Sequence, residues 1–579
     1  MKILLAAVNA KYIHSNLAVY SLRAYAKKYA RLAEGEHTVA IAEYTINHRT
    51  DDILAGIYRE APDVLMFSCY IWNICQIEEV MEEFHKLRPG IPIWVGGPEV
   101  SYETEKFLRE HPAVTGVMIG EGEETFCRLY EHYAAGRTGD ALGAIKGIAY
   151  QSGGSIAVNE CREPLELDCI PFCYEDIEDF ENRIVYYESS RGCPFSCSYC
   201  LSSVERQLRF RDLKLVKQEL SFFLEHRVPQ VKFVDRTFNC SHVHAMEIWR
   251  FLREHDNGVT NFHFEISADL LTEEELKLLA GLRPGLVQLE IGVQSTNEAT
   301  IREIHRTMKL ERLKWAVTEI QKHENIHEHL DLIAGLPCED YETFARSFDE
   351  IYALRPNQLQ LGFLKVLKGS YLYEHAAEYG IVWHSRPPYE VLQTDWLDYA
   401  QLLRIRRVEE LLEVYYNSAQ FEVTMKILGV LFDSAFAMFE RLGAFYEENG
   451  YFGMNHSRLK RSEIMLSFIE SVPGLPGEAV PVIRESLIFD LYYRENYKSR
   501  PGWAPDAGEW KRVSRFYCKN GKQSHVERFF YRFPGKSERV LRHLPERSGE
   551  PLYALFDYTD RDPLDYQASV CWVLAPGEE

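Results

Sequence analysis

Ten residues, Arg191-Gly-Cys-Pro-Phe-Ser-Cys-Ser-Tyr-Cys200, constrain this chain more tightly than any other stretch. Cys193, Cys197 and Cys200 stand at a C-x3-C-x2-C spacing, just after the apolar run Ile184–Glu188. A turn that short faces three thiolates toward one point, as one side of an iron–sulfur cube requires. No fourth ligand continues the pattern, so one iron would keep a vacancy for a small molecule. Tetrahedral zinc calls for four Cys or His ligands, commonly in paired C-x2-C knuckles, and no second knuckle follows. Three unrelated buried thiols are the remaining alternative.

The cysteine loop opens a series of strand-like runs separated by amphipathic stretches. Ile184–Glu188, Val231–Val234, Phe262–Ile266, Leu286–Ile291, Leu330–Ile333 and Gln358–Leu364 read as six strands, with a helix over Leu213–Glu225. Each ends in polar or small residues: Asp235 to Asn239, Ser267 to Asp269, Gly292 to Ser295, Ala334 to Pro337 and Lys365 to Gly369. Six such units predict a partial (β/α)6 barrel, with its chemistry at the carboxyl ends of the strands. Arg302, Glu303, Arg306 and Lys309 read as the exposed face of a charged helix.

Residues 1–140 show a similar alternation. Strands are expected at Ile3–Val8, Thr38–Tyr44, Val64–Tyr70, Ile91–Val95 and Val114–Ile119. Helices are expected at Asn16–Ala33, Asp51–Glu60, Ile74–Leu87, Tyr102–Glu110 and Glu123–Ala135. Nearly continuous apolar strands suit a parallel sheet covered on both faces, hence a doubly wound, Rossmann-like α/β domain. Such sheets take ligands at their carboxyl edge. The loops there are Asn9 to His14, Tyr70 to Asn73, Gly96 to Glu99 and Gly120 to Glu123. Residues 141–182 read as a hairpin around Gln151-Ser-Gly-Gly154 and a linker, 183–375 as the barrel, and 376–579 as an α+β domain. Cys161, Cys169 and Cys173 are spaced too loosely for a second metal site to be preferred over free thiols.

In the last domain, Leu402–Tyr416 and Phe421–Phe445 read as helices. Lys511, Arg512, Arg515, Lys519, Lys522, Arg528, Arg532, Lys536, Arg539 and Arg542 interleave with Phe516, Tyr517, Phe529, Phe530 and Tyr531. RNA could be gripped by such a run through stacking and phosphate pairing, yet an antiparallel sheet produces the same pattern. The net charge of −22 over 579 residues argues against non-specific nucleic-acid affinity. With no apolar run of membrane-spanning length and thirteen scattered cysteines, a cytoplasmic, non-membrane protein is expected.

The cysteine spacing, with Tyr199 just before the last cysteine, resembles the radical S-adenosylmethionine (SAM) superfamily. The resemblance implies a [4Fe-4S] cluster on Cys193, Cys197 and Cys200, with SAM chelated at the open iron and cleaved reductively to a 5'-deoxyadenosyl radical. It places Tyr199 at the adenine and the segment with Asp235, Thr237 and Asn239 at the SAM amino group. Glu265 and Ser267 match positions at the ribose or methionyl carboxylate. Glu290 and Gln294 belong to the fourth-strand motif, and Ile333 and Gly335 to the segment stacking near adenine. The glutamate that usually ends that segment is shifted or absent at Cys338-Glu339.

Beside this core, residues 1–140 resemble the cobalamin-binding domain of one branch of the superfamily. The resemblance implies cobalamin contacts from Asn9, Tyr12, His14, Tyr70, Trp72, Asn73, Gly96, Gly97, Pro98, Glu99, Gly120, Glu121, Gly122 and Glu123. The usual Asp-x-His-x-x-Gly is missing, which leaves His14 as an alternative lower cobalt ligand to having no histidine on cobalt. The implied activity is oxygen-sensitive methylation of an unactivated carbon, fed by a reductant such as flavodoxin or ferredoxin. Rearrangement, cyclisation or reduction with the same cofactors is the alternative. A corrinoid- or nucleic-acid-binding protein with a structural cluster is the reading from another class.

Overall fold

The computed structural model describes residues 1–32, 35–136, 139–505, 508, 510–518, 523–536 and 538–575. They form two compact bodies: residues 1–278, 304–307 and 364–395, and residues 279–303, 308–363 and 396–579.

The first body contains the sheet built from β1 (Lys2–Asn9), β2 (Thr38–Thr45), β3 (Val64–Ser68), β4 (Ile93–Gly96), β5 (Gly116–Met118), β6 (Ile148–Ser152) and β7 (Ser155–Val158), in the order β2-β1-β3-β4-β5-β6-β7. The first five strands are parallel. Ile3 to Val8 of β1 are buried because β1 lies inside the sheet, paired on both sides. β2 is added on one side of β1 and β3 on the other, so the strand order switches between β1 and β3, which makes their carboxyl ends the crevice of the sheet. The helices Leu17–Tyr29, Thr50–Glu60, Ile74–Leu87 and Glu123–Ala134 follow the expected pattern. The helix expected to reach Ala33 ends at Tyr29, and Ala33 lies outside the described residues. The helix expected over Tyr102–Glu110 is instead two short pieces, Pro98–Ser101 and Thr104–Glu110. The hairpin assigned to the linker joins this sheet: β6 pairs antiparallel with β5 and closes its edge.

The same body carries β8 (Val185–Tyr187), β9 (Ser190–Arg191), β10 (Arg209–Phe210), β11 (Gln230–Phe233) and β12 (Asn261–Ile266). β11 pairs in parallel with β8 and β12. Asp212 starts the helix Leu213–Glu225 by accepting from the backbone N–H groups of Lys214 and Leu215.

The second body holds β13 (Val287–Gln294), β14 (His327–Ala334) and β15 (Gln358–Phe363), again parallel. Its carboxyl-terminal part is α+β. The helices Tyr399–Leu412, Glu422–Leu431, Ala435–Glu448, Arg458–Ser471 and Ala479–Arg494 precede an antiparallel sheet. The helix expected over Phe421–Phe445 is broken, because Ser434 caps a new helix by accepting from the N–H of Ala437. The antiparallel sheet consists of β18 (Ser524–Tyr531), β19 (Arg547–Arg561) and β20 (Ala568–Val573), whereas the two-stranded pair β16 (Val382–Trp383) and β17 (Val391–Gln393) belongs to the first body. In β18, Glu527, Phe529 and Tyr531 alternate as buried residues with the partly exposed Arg528 and Phe530, and Val526 is buried against Val513. The basic–aromatic alternation there is therefore the pleat of a sheet, although Lys519 and Lys522 lie outside the described residues.

Candidate active site

The cysteine loop is held from three directions within the first body. The Ser198 N–H donates to the Ile304 carbonyl at 2.9 Å, and the Leu372 N–H donates to the Ser198 carbonyl at 2.9 Å. The Cys193 N–H donates to the Glu205 carbonyl at 3.2 Å. Gly192 enters the loop at φ +92°, and a Cβ there would sit 2.3 Å from the Gln207 carbonyl oxygen, so only glycine fits. Cys193 and Cys197 are buried and Cys200 is partly so.

One residue read as solvated surface proves to belong here. Arg306 does not sit on an exposed helix face, because the helix Glu298–Glu303 ends before it. Its Nη1 lies 3.8 Å from Cys197 Sγ and 3.4 Å from the Tyr199 hydroxyl. Burial pushes the Cys197 thiol up, and the Arg306 cation pulls it back. A cation beside a thiolate suits three sulfurs carrying a shared negative load. Thr237 Oγ1 is 4.0 Å from Cys193 Sγ, and Cys240 lies within electrostatic range of the same sulfur. Donor type, burial and the neighbouring cation all fit an iron–sulfur cube.

Other residues assigned to SAM are present but differently employed. Asp235 is fully buried. It accepts from the Ser189 N–H at 3.0 Å, Ser189 Oγ at 2.7 Å and Ser190 Oγ at 2.5 Å. Burial still raises its carboxyl from 3.8 to about 6, because desolvation outweighs those bonds. Asp235 thus anchors the strand leading into the cysteine loop. Asn239 exchanges two hydrogen bonds with the Ser267 backbone, at 2.9 Å each. Ser267 Oγ donates to Asp269 at 2.7 Å. Glu265 faces Lys232 at 4.0 Å.

In the second body, Glu290 on β13 and His329 and Asp331 on β14 bring one ligand atom each within 4.8 Å of one another. Gln294 sits at a register shift with φ +73°, Ile333 lies on β14, and Gly335 follows with φ +89°. Glu339 is fully buried and accepts from Ser295 Oγ at 2.5 Å and Ser347 Oγ at 3.0 Å. Burial raises its carboxyl to about 7, and it ties two loops together.

The expected cobalamin loops gather at the crevice of the first sheet. Trp72 Nε1 and Asn73 Nδ2 both donate to the Val8 carbonyl, at 3.1 and 2.9 Å, bridging the ends of β1 and β3. Tyr70 and Trp72 stack with ring centroids 4.4 Å apart, and Trp72 is 44% exposed, a flat aromatic shelf at the crevice. Gly97 adopts φ +116°, where a Cβ would lie 2.4 Å from the Cys69 carbonyl oxygen, and Gly120 has open space around it. A shelf flanked by side-chain-free backbone fits a broad planar ring system. Several expected contacts serve the scaffold instead. Asn9 Nδ2 donates to Glu43 at 2.8 Å and to the His14 carbonyl at 3.1 Å. His14 Nδ1 shares a 2.6 Å hydrogen bond with the Tyr186 hydroxyl, and burial lowers its basicity. Tyr12 lies under the Arg183 guanidinium. Glu99, after Pro98 at the start of its short helix, accepts from the Tyr389 hydroxyl at 2.8 Å. Glu121 pairs with Arg209 and Arg191, and Glu123, following Gly122, pairs with Arg191 at 2.8 Å. Arg191 also binds Glu188 at 2.7 Å, so one guanidinium joins the Gly120–Glu123 loop to the entrance of the cysteine loop.

The B12 binding domain family matches residues 3–130, and the radical SAM superfamily matches residues 187–351. The chain carries a B12-binding domain and a radical SAM domain. Residues 377–542 match a protein family of unknown function, DUF4080. An uncharacterized methyltransferase of Pyrococcus horikoshii is 26% identical over 60% of this chain and 76% of its own length. An anaerobic magnesium-protoporphyrin IX monomethyl ester cyclase of Rubrivivax gelatinosus is 23% identical over 56% of this chain and 60% of its own. Two further curated methyltransferases are matched over 49% and 44% of their lengths. The cobalamin-dependent S-adenosylmethionine radical enzyme OxsB shares the fold, with a TM-score of 0.58 and 16% identity over 84% of this chain and 78% of that one. The radical SAM domain thus contains the cysteine loop, and the B12-binding domain contains the aromatic shelf.

Proposed function

We propose that this protein is a cobalamin-dependent radical SAM enzyme that methylates an unactivated carbon. The observation that carries the reading is the cysteine loop with Arg306 set against Cys197 and Tyr199, within the same compact body as the Tyr70–Trp72 shelf. Cys193, Cys197 and Cys200 would hold the cluster. Within the first body, Tyr199, Thr237, Glu265 and Ser267 would line the SAM side, with Asp235 and Asn239 positioning the backbone beneath it. Tyr70, Trp72, Gly96, Gly97, Gly120 and Gly122 would receive the corrin. When bound, these groups supply the electron and the methyl group that the chain's own side chains lack. The protein orients them and keeps water out of the reacting volume.

A small electron carrier such as flavodoxin or ferredoxin would supply the reducing electron. Among the described residues, no helix is long and apolar enough to cross a membrane, in keeping with a cytoplasmic setting. The likeness to a cyclase supports a second reading, in which both cofactors serve a non-methylating reaction. Product stoichiometry under anaerobic turnover separates them. Methylation yields 5'-deoxyadenosine and S-adenosylhomocysteine together, whereas 5'-deoxyadenosine without S-adenosylhomocysteine selects the second reading. Failure of fully reconstituted protein to cleave SAM under a strong reductant overturns both.

A further inference from the structure

A cavity of about 270 Å³ lies wholly within the second body, at the amino ends of β14 and β15. It touches His327, the first residue of β14, and Arg355, Pro356 and Asn357, which lead into β15. In folds of this kind chemistry sits at the opposite, carboxyl ends of the strands. Within this body the cavity lies at the strand end opposite Ile333 and Gly335, and its lining includes none of the candidate active-site residues.

Its lining is cationic in a protein whose net charge is −22. Arg355, Lys426, Arg494, Lys536 and Arg539 face it, against the two carboxylates Glu422 and Asp565, a surplus of three positive charges. The lysines are committed: Lys426 pairs with Glu422 at 3.1 Å, and Lys536 with Asp562 at 2.6 Å and Asp565 at 2.9 Å. The arginines are not. Among the described residues, no carboxylate lies at ion-pair distance from Arg355, Arg494 or Arg539. Arg539 Nη1 donates to the Arg355 carbonyl at 3.2 Å, Arg494 Nη1 donates to the Asp565 carbonyl, and Arg355 lies over the Tyr352 ring. Three guanidiniums lining one cavity with no carboxylate at ion-pair distance are costly unless an anion joins them.

The backbone around the cavity is unusual as well. A five-residue π-helical turn, Glu413–Asn417, presents Tyr415, Tyr416 and Asn417 to it. Three lining residues that are not glycine adopt left-handed conformations: Arg355 at φ +52°, Ala419 at +51° and Tyr566 at +60°. Such conformations cost free energy and gather where a ligand is held.

We propose that this cavity binds a small phosphorylated metabolite through its diphosphate group. The planar guanidinium forks of Arg355, Arg494 and Arg539 match phosphate oxygens. The volume, near the lower end of ordinary ligand pockets of roughly 300 Å³ and above, sets a compact ligand. Pyrophosphate and ADP are the probes, because the diphosphate could be free or carried by a nucleoside.

The test is calorimetric titration of the full-length protein with each probe at two salt concentrations. Saturable binding that weakens at higher salt is expected. If pyrophosphate and ADP both bind, the site reads the diphosphate alone; if only ADP binds, the tyrosine wall adds recognition of the nucleoside, and the proposal stands either way. The double variant R355Q/R539Q is expected to weaken binding at least tenfold with an unchanged far-ultraviolet spectrum. E422Q, which removes one opposing carboxylate, is expected to tighten it severalfold, and it decides the matter if the double variant does not fold. Absence of binding by both probes at millimolar concentration overturns the proposal, as does equal affinity in wild type and E422Q together with R355Q/R539Q.

Discussion

Replacing Arg306 by glutamine removes a cation 3.8 Å from Cys197 Sγ while keeping a side chain of similar reach. A unit charge about 4 Å from another is worth about 4 kcal/mol at an effective dielectric of about 20. For a one-electron couple, where about 1.4 kcal/mol corresponds to 59 mV, that bounds the effect near 170 mV. The guanidinium charge is spread over three nitrogens, and an electron added to a cube is shared among its irons. Roughly half the bound, about 80 mV, is therefore expected. The sign follows from charge: loss of the cation disfavours the more negative, reduced cluster, so R306Q shifts the potential downward. R306K keeps the charge and retains most of the wild-type value. The assay is a redox titration of anaerobically reconstituted protein followed by electron paramagnetic resonance, with iron content measured in parallel. A shift of less than about 20 mV in R306Q at full iron loading would refute the electrostatic reasoning.

Alanine at Cys193, Cys197 or Cys200 is expected to drop bound iron from about four per chain toward zero, read by iron analysis and loss of visible absorbance. Unchanged iron in all three variants would exclude the loop as the cluster site. Gly97→Ala forces a Cβ to 2.4 Å from the Cys69 carbonyl in a conformation costing roughly 1–3 kcal/mol. Corrin absorbance retained after gel filtration is expected to fall in that variant, while iron content holds. Asp235→Asn tests the buried carboxyl. Because its folded value of about 6 exceeds the ordinary 3.8, its contribution is present below about pH 4 and lost as pH rises through about 6. The loss is about 3 kcal/mol, so the melting temperature of D235N relative to wild type should climb between pH 4 and 7; a flat difference contradicts this.

The local patterns were legible because they depend on neighbours along the chain. Cys193, Cys197 and Cys200 stand in one short loop, and the apolar run of β1 reads as a buried strand of a parallel sheet covered on both faces. Gly97 and Gly192 mark backbone that no Cβ could enter. Roles that depend on distant partners were not legible. Arg306, more than a hundred residues beyond Cys197, looks like any charge beside a helix until the fold brings it to the sulfur. Asp235 and Asn239 stand where the strand-end pattern puts polar groups, yet both are consumed by the neighbouring backbone. The hairpin at Gln151 was visible as a hairpin, but nothing local says that it closes the edge of the first sheet.

Taken alone, then, the order of residues determined which segments become strands, where three cysteines stand in one short loop and how many strand–helix units follow. Those outcomes rest on side-chain periodicity and on spacings of a few residues. The tertiary structure decided which acids are spent on neighbouring groups, which arginine faces sulfur, and where arginines collect with no carboxylate at ion-pair distance among the described residues. Desolvation and Coulomb energies depend on distance in space, and a linear sequence does not contain that distance.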